Sequence, residues 1–247
     1  MTRRLEPGEI RPGGSTAAGG VAEYRLDKLS RVVTIAGEWL DCGCCDGEYT
    51  VALRERGAAH VIGTDIAADR VAAARERWRG RDGVEFLSAE AESLPFADGR
   101  FAGALLNEVL EHVVDQQRSL VELRRVLAPG GHLVVFSPNR WFPFEGHGIV
   151  VGPKNFGSPV PLVPWLPRSL ALPLMKARNY WPYELRGLVA DAGFEIVHVG
   201  FAFPLFGHYP WLPQSTIDSY LRALPRIEQL PFLRRFGVST MVVARRP

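Results

Sequence analysis

The sequence predicts an α/β fold with a doubly wound, mostly parallel β-sheet. Short apolar runs alternate with stretches of helical periodicity between residues 22 and 137, a pattern typical of βαβ units. The first apolar run closes on an acid, which is followed by a glycine-containing turn and a helix start, as at the first crossover of such a sheet. Because crossovers between parallel strands are right-handed, helices are expected on both faces.

Five strands and four helices are predicted before residue 138. An amphipathic first helix over 22–34 has its apolar residues near helical spacing. Glycine and proline commonly end helices, and Gly57 and the Pro129-Gly130-Gly131 turn are expected to do so here. The strands are predicted at 37–41, 60–65, 84–87, 101–106 and 132–136, and the other helices at 48–56, 67–78 and 115–127.

The regular alternation stops after Ser137. The segment 138–180 contains many prolines and large aromatic side chains without a clear period, and such a long irregular segment is usually functional, as a lid or a binding loop. A second aromatic, proline-rich stretch covers 204–236. The elements predicted around these stretches are a helix at 181–192 and strands at 194–201 and 238–244.

The domain organisation follows from this pattern. No internal repeat and no second core pattern is present in the sequence. We therefore expect a flexible N-terminal tail over 1–20 and a single domain over 21–247, with insertions at about 138–180 and 204–236.

The composition is that of a globular protein, with 247 residues, 47% of them hydrophobic and 23% charged. A net charge of +2 is too small to predict binding to nucleic acid or to an anionic membrane surface. No apolar run reaches transmembrane length, and no signal peptide is recognised. The three cysteines lie in one turn and cannot build a disulfide framework, so a cytoplasmic location is expected.

The turn after the first strand is the candidate cofactor loop. Gly43 and Gly47 lack a Cβ and leave room for the backbone to approach a ligand, and the following helix directs free N–H groups at the loop. Asp41, at the end of the strand, would repel a diphosphate and attract a cation. Asp65, at the end of the second strand, is placed to accept hydrogen bonds from ribose hydroxyls. A ribose with a cationic group and no diphosphate describes S-adenosylmethionine.

Five runs of residues carry a resemblance to a known family, in that family's order and spacing over about 24–137. They are Leu40-Asp41-Cys42-Gly43-Cys44-Cys45-Asp46-Gly47, Gly63-Thr64-Asp65-Ile66, Ala91-Glu92-Ser93-Leu94-Pro95-Phe96, Asn107-Glu108-Val109-Leu110-Glu111-His112-Val113 and Leu127-Ala128-Pro129-Gly130-Gly131. The chain resembles the class I S-adenosylmethionine-dependent methyltransferases, most closely the subgroup that includes the ubiquinone and menaquinone C-methyltransferases. The resemblance implies a Rossmann-like, seven-stranded sheet with an antiparallel last strand, and cap insertions after strands five and six.

The resemblance also implies which residues hold the cofactor. Asp41 and the loop with Gly43, Cys45 and Gly47 would bind its methionine end, and Asp65 would bind the ribose hydroxyls. Cys45 stands where the family usually has a glycine, and we expect this side chain to narrow the loop.

The adenine end is assigned to residues that follow the second and third strands. Ile66 would pack on the ring. Glu90, in place of the family's usual aspartate, would meet the adenine amino group, and the Ala91 N–H would face the ring. Asn107, at the end of the fourth strand, would lie by the methionine portion.

Methyl transfer from a sulfonium is an in-line displacement that mainly needs the acceptor atom to be held close and aligned. A general base is required only for an acceptor that arrives protonated and poorly acidic. The candidates are His147, with Glu145 nearby, and then His112 and Tyr180. For His147 the competing interpretation is a solvated loop histidine.

We predict a methyltransferase that acts on a small, fairly apolar acceptor. The acceptor atom, O, N or C, stays open, because the cofactor loop identifies the donor only. One alternative is a catalytically silent binding protein that kept the fold, with Cys45 as its support. A less favoured alternative is an NAD-dependent oxidoreductase, which Asp41 and the missing glycine of the dinucleotide fingerprint oppose.

No metal is predicted. Zinc sites usually combine two separated pairs of ligands, and this chain has no second pair of cysteines beside Cys42, Cys44 and Cys45. Small buried cysteines are the preferred interpretation.

Aromatic residues of the first insertion are expected to line an acceptor pocket; they are Trp141, Phe142, Phe144, Phe156 and Trp165. They are also compatible with the core of a cap or with an interface. The run Trp165-Leu166-Pro167-Arg168, with Leu170, Leu172, Leu174 and Met175, is also compatible with peripheral contact to a membrane. The membrane interpretation lacks the basic face that such segments normally carry.

Overall fold

A central sheet runs through the computed structural model, which describes residues 20–206 and 212–247. The predicted N-terminal tail, apart from Gly20, lies outside these residues, as does the segment 207–211 of the second insertion. The prediction of a single domain stays a prediction.

The strands follow one another in the order that the sequence predicts. They are β1 (Glu38–Cys42), β2 (His60–Asp65), β3 (Val84–Ser88), β4 (Phe101–Asn107), β5 (Leu127–Pro138), β6 (Phe144–Glu145), β7 (Ile149–Val151), β8 (Lys154–Phe156), β9 (Val160–Pro161), β10 (Glu195–Ala202) and β11 (Ser239–Arg245). Seven of them form one sheet in the order β10-β11-β5-β4-β1-β2-β3. β1 to β5 pair in parallel, whereas β11 is antiparallel to both β5 and β10, which confirms the predicted antiparallel last strand.

Helices cover both faces of this sheet, as expected for a doubly wound fold. They are α1 (Val21–Ser30), α2 (Glu48–Glu55), α3 (Ala68–Arg77), α4 (Gln116–Val126), α5 (Arg168–Ala171), α6 (Pro182–Asp191) and α7 (Gln214–Gln229), with 3₁₀ turns at Val163–Trp165 and Leu233–Phe236. Successive strand residues face opposite sides: Leu105 packs with α1 and α2, and its neighbour Leu106 packs with α4 and α6. The predicted fold class is confirmed.

β5 begins at Leu127, five residues before the predicted start at His132. Leu127 pairs with Phe101, and the register with β4 then shifts before His132 pairs with Gly103. The Gly130 N–H donates to the Arg246 carbonyl at 2.8 Å. The Pro-Gly-Gly sequence is therefore a bulge inside a strand and does not separate the helix from the strand, because its backbone groups find partners at the chain's other end.

The two insertions are more ordered than predicted. The first, which we call the cap (residues 141–180), contains the antiparallel pairs β6 with β9 and β7 with β8. The second contains the 16-residue helix α7, which the sequence analysis missed. Its buried Ile217 and Leu224 are at helical spacing, and Pro225 removes one backbone hydrogen bond without ending the helix.

The point where the sheet reverses its winding lies between β1 and β4. β1 has β2 on one side and β4 on the other, so the crossovers leave in opposite directions and open a crevice at the carboxyl ends. Among the described residues, no helix combines the length and the apolar composition needed to cross a membrane.

The close contact between Gly103 and Trp39 generates a stability prediction. A Cβ on Gly103 would lie 2.4 Å from the fully packed Trp39 ring, so Gly103→Ala is expected to lower the free energy of unfolding by about 1–3 kcal/mol. The control is Gly187→Ala on α6, where a Cβ meets no atom within 4 Å, and it is expected to raise stability by about 0.5–1 kcal/mol. Urea denaturation measures both, and equal shifts would contradict the packing argument.

Candidate active site

Three acidic residues lie at the carboxyl ends of adjacent strands. Asp41 belongs to β1, Asp65 ends β2, and Glu90 follows β3 by two residues. Because β1 pairs with β2 and β2 with β3, all three lie at one edge of the sheet. Asp41 and Asp65 are buried and Glu90 is exposed.

The loop after β1 requires glycine at both ends. Gly43 and Gly47 have φ values of 84° and 82°, which side chains disfavour. A Cβ on Gly43 would lie 2.2 Å from Val109 Cγ2, and one on Gly47 would lie 2.5 Å from the Phe86 ring. The missing Cβ atoms thus also make room for two protein side chains, a use of these glycines that the sequence analysis did not predict.

Cys45 takes the place of the family's glycine without losing the left-handed backbone. Its φ is 50°, which costs roughly 1–2 kcal/mol relative to glycine. Arg70 Nη1 donates to the Cys45 Sγ at 3.3 Å, and the Cys45 N–H donates to Asp65 Oδ2 at 3.0 Å. The Arg70 contact holds the Cys45 side chain against α3, and the backbone N–H of Cys45 joins the loop to Asp65.

The three thiols differ in exposure. Cys42 and Cys44 are buried, as expected, whereas Cys45 is half-buried, which corrects the prediction for that residue. Burial raises the pKa of Cys42 to about 12, and burial also raises the pKa values of Cys44 and Cys45. All three thiols are therefore protonated at neutral pH, whereas metals bind the thiolate form.

Asp41 is a buried carboxyl group without a cationic partner among the described residues. The Thr50 hydroxyl donates to Asp41 Oδ2 at 2.7 Å. Burial raises the pKa of Asp41 to about 7, and the negative charges of Asp65 and Asp46 add to the effect of burial. A cation bound at this point would stabilise the ionised carboxylate, so the site has an electrostatic preference for a positively charged ligand.

Asp65 holds the loop and the start of the next helix together. Its Oδ1 accepts the Ala67 N–H at 2.9 Å, and its Oδ2 accepts the Cys45 N–H. Each carboxylate oxygen has a further lone pair for a ligand hydroxyl. Ile66, directly after it, is 51% exposed, as a side chain that packs on a ligand ring would be in the free protein.

The predicted adenine contacts lie in a tight turn after β3. The Ser93 N–H donates to the Glu90 carbonyl at 3.1 Å, and Ala91 between them is half-buried. The turn thereby orients the exposed Glu90 side chain and the Ala91 backbone at the same edge as Asp65.

Asn107 is joined to a buried ionic network. Its Oδ1 accepts from Arg25 Nη1 at 2.6 Å, and Arg25 forms an ion pair with Glu108 at 2.8 Å and a hydrogen bond with Ser239 Oγ at 2.7 Å. Burial raises the pKa of Glu108, but the charge of Arg25 together with the hydrogen bond from Ser239 and other favourable contacts outweighs burial and lowers the pKa overall. Helix α1, β4 and β11 are thus joined beneath the predicted methionine site.

Sequence analysis missed Arg25, although a signal was present. Arg25 occupies the same stripe of α1 as Ala22, Leu26 and Leu29, all of them buried. A charged residue on an apolar stripe indicates a buried ion pair or a functional group.

The structure brings two of the three candidate bases together. The rings of His112 and His147 lie 5.1 Å apart, edge to face. Glu145 is fully buried, and its carboxylate oxygens contact His147 Nδ1 at 3.2 Å and Asn179 Nδ2 at 2.7 Å. Because Glu145 engages Nδ1, the other ring nitrogen of His147 is the one available to a substrate.

The two histidines have opposite pKa shifts. Burial lowers the pKa of His147, but the hydrogen bond and charge of Glu145 outweigh burial, so its pKa lies above the usual value. Burial lowers the pKa of His112 to about 4, and the charge of His147 adds to this effect. His147 is therefore the histidine of this pair that takes up a proton near neutral pH.

Tyr180 has a different environment. It is 3% exposed, its hydroxyl is hydrogen-bonded to Gln116 and the Leu110 carbonyl, and burial raises its pKa far above the usual range. Its hydroxyl is committed to the protein, which makes it the weakest of the three candidate bases.

A donor cluster also forms around Glu111. Donor atoms of Glu111, His112 and His147 lie within 4.8 Å of one another. Burial and the charge of Glu108 raise the pKa of Glu111, and Ser137 donates to its Oε2 at 2.9 Å. Arg178 and Lys176 add positive charge beside these histidines, which disfavours a cation, and we assign no metal here.

Comparisons with known proteins show the family of the chain. A family model described as a methyltransferase domain matches residues 40–135. Demethylmenaquinone methyltransferase of Thermus thermophilus is 35% identical over 176 residues, which cover 64% of this chain and 74% of that protein. An O-methyltransferase of Penicillium expansum is 32% identical over 188 residues, which cover 72% of this chain and 61% of that protein. Matches to several other relatives span about half of their length.

The fold is shared with solved structures. The S-adenosylmethionine-dependent methyltransferase from Mesorhizobium loti superimposes with a TM-score of 0.62 at 21% identity, over 92% of this chain and 99% of that chain. At this level of identity the likeness shows the fold alone.

The buried Arg25–Glu108 pair generates a prediction. Arg25→Met leaves the carboxylate of Glu108, whose side chain is only 12% exposed, without its counter-charge, and we expect a loss of about 3–5 kcal/mol in the free energy of unfolding. The control is Arg56→Met, which removes a more exposed pair with Asp27 and is expected to cost less than about 1 kcal/mol. Chemical denaturation measures both; similar losses in the two variants would refute a special role for the buried pair.

Proposed function

Because the chain belongs to the class I S-adenosylmethionine-dependent methyltransferases, with relatives among the quinone methyltransferases, we propose that it methylates a small, apolar acceptor. The cofactor supplies an activated methyl group on a sulfonium. Relatives named for demethylmenaquinone and for O-methylation support an acceptor of this class.

The observation that carries the proposal is the environment of Asp41. A buried carboxyl group held by neutral donors, here the hydroxyl and the backbone N–H of Thr50, and by no cation among the described residues, is costly unless a cation completes it. The cofactor's positively charged methionine end meets that need, while Asp65, one strand away, offers its free lone pairs to the ribose. The neighbouring Ile66 and the Glu90–Ala91 turn then define the adenine side.

His147 supports a mechanism for acceptors that must lose a proton. We assign its Nε2 as the general base, with Glu145 holding Nδ1 and fixing the ring. Asn179 donates to the other oxygen of Glu145, so the carboxylate that orients the base is itself held in place. The protein's other contribution is to align the acceptor with the methyl group and to exclude water.

The two alternative functions have no support in the site. Family membership argues against a nicotinamide cofactor. A silent binding protein rested on Cys45, and the structure accommodates Cys45 with the same backbone conformation that glycine would adopt.

The titration of Asp41 generates the first test. Cofactor affinity is expected to be about tenfold weaker at about pH 6 than at about pH 8, because a carboxyl group with a pKa near 7 is about one-tenth ionised at the lower pH. Calorimetric titration with S-adenosylmethionine measures the change. Asp41→Asn is expected to bind weakly at both pH values, and an unchanged pH dependence in this variant would exclude Asp41 as its origin. S-adenosylhomocysteine, which lacks the sulfonium charge but keeps the α-ammonium group, is the matched ligand control: a pH dependence that it shares is assigned to the ammonium group, and one that it loses is assigned to the sulfonium.

The second test addresses the acceptor and the base. Transfer of labelled methyl groups to a panel of apolar quinols and phenols is expected, with little transfer to polar sugars and amines. With the preferred acceptor, His147→Ala is expected to lower kcat by about 10²- to 10⁴-fold, with cofactor affinity unchanged. The wild-type rate is expected to rise with pH through a midpoint above the usual histidine value, because the base must be neutral.

His198→Ala on exposed β10 is the control for this test. Transfer confined to polar acceptors would contradict the acceptor class. A His147→Ala variant with wild-type kcat and the wild-type pH profile would rule out the base.

A further inference from the structure

The outer surface of the cap is unusually apolar. Most large hydrophobic side chains that are exposed in the described part of the chain lie on the cap or on the segment 230–237. In the cap they are 40% to 59% exposed, namely Phe144, Val151, Phe156, Leu162, Trp165 and Leu170. This exposure places these side chains at an outer surface in the free protein, and the expectation that Phe144, Phe156 and Trp165 line the acceptor site stays a prediction.

The segment 230–237 adjoins the cap and extends its surface. The Trp141 ring packs against Phe236 at 5.8 Å, and Phe236 packs against Phe232 at 5.4 Å. Phe232 is 62% exposed, and Leu230 and Leu233 are also exposed. We call the exposed parts of residues 141–180 and 230–237 together the cap surface.

Backbone contacts connect the pieces of the cap. The Val150 N–H donates to the Leu174 carbonyl at 2.8 Å, and the Leu162 N–H donates to the Pro143 carbonyl at 2.6 Å. The β7–β8 hairpin and the turn before Trp165 are therefore held to the rest of the cap.

The charges on the cap surface are of one sign. The only acid within 141–180 is Glu145, and it is fully buried; 230–237 contains no acid. The basic residues of the two segments are Lys154, Arg168, Lys176, Arg178, Arg234 and Arg235. Arg168 is paired with Glu184, outside the cap, at 2.9 Å, and the half-buried Arg178 donates to the Val113 carbonyl at 2.6 Å. The exposed charges that can meet an anionic partner are therefore those of Lys154, Lys176, Arg234 and Arg235. Among the described residues, neither Lys154 nor Lys176 takes part in an ion pair. Since the whole chain carries only +2, the remainder is net negative.

We propose that the cap surface docks on the anionic surface of a lipid bilayer. Apolar side chains at these positions enter the boundary between headgroups and acyl chains, while the basic residues meet lipid phosphates. Aliphatic Val151, Leu162 and Leu170 have no comparable role on a nucleic acid. The small net charge of the whole chain argued against binding to an anionic surface. Electrostatic attraction is screened beyond about 8 Å at physiological salt, so the charge of the cap surface governs the docking and the charge of the whole chain does not.

Docking has a consequence for the site. Glu145 and His147 belong to the cap, so the general base lies on the element that contacts the bilayer. An apolar acceptor dissolved in the membrane would then reach it without crossing water. This consequence rests on the proposed function, whereas the docking itself does not.

Vesicle sedimentation of the full chain tests the docking. We expect binding to phosphatidylcholine vesicles in which about a third of the lipid is phosphatidylglycerol, and little binding to phosphatidylcholine alone. Lys154→Gln with Lys176→Gln is expected to weaken partitioning about 30-fold, since each basic residue contributes about fivefold. Arg31→Gln with Arg79→Gln, exposed residues outside the cap, is the matched control and is expected to bind like wild type.

A second pair of variants tests the apolar contribution. Phe156→Ser with Trp165→Ser is expected to reduce binding at least tenfold, and Val121→Ser with Val197→Ser, similarly exposed elsewhere, is expected to leave it unchanged. Unaltered cofactor binding verifies folding in each variant.

Absence of binding to anionic vesicles, equal binding to neutral vesicles, or cap variants that bind like wild type would each overturn the docking proposal. Loss of methyl transfer with vesicle binding intact would count against the proposed function and leave the docking standing.

Discussion

The parallel pairing of β1 with both β2 and β4 is the constraint on which the site depends. It brings residues that are far apart in sequence to one edge of the sheet, because parallel strands end on the same side. Asp41, Asp65 and Asn107 are thereby brought to the same edge. The reversal of winding at β1 opens the crevice into which they project.

Two carboxyl groups at this edge differ in whether a positive charge of the protein balances them. Glu108 is half-buried, and Arg25 supplies the counter-charge that favours its ionised form. Asp41 is fully buried, its hydrogen-bond donors are the neutral hydroxyl and backbone N–H of Thr50, and its pKa is raised to about 7. The first pair contributes to a fixed framework, whereas the second carboxyl group keeps its electrostatic need for a ligand. The degree of burial does not explain this difference between the two carboxyl groups. The charge of the partner does.

The cap combines an inner and an outer role. Its inner side supplies Glu145, which is fully buried and orients His147 beside His112. Its outer side carries exposed apolar groups and basic residues. Because both sides belong to one short segment, a contact at its exposed residues would act on the same segment that holds the proposed base, His147.

Local patterns in the sequence predicted much of this molecule. Periodicity located the central strands, and the sequence after Asp41 predicted a glycine turn between strand and helix that the structure confirms, because both signals arise from neighbours along the chain. The same signals failed where distant partners decide. The strand at Leu127 is completed by Phe101 and Arg246, and α7 continues through Pro225.

The sequence by itself determined the fold class and the family, and it predicted the cofactor residues, since all of these depend on strand ends and loop residues. Only the tertiary structure decided that Arg25 neutralises Glu108, that Glu145 holds His147, and that the hydroxyl of Tyr180 is committed to the protein. It also separated the exposed aromatic residues of the cap from the buried ones. Burial and counter-charge are properties of residues that meet in space, and no pattern along the chain specifies them.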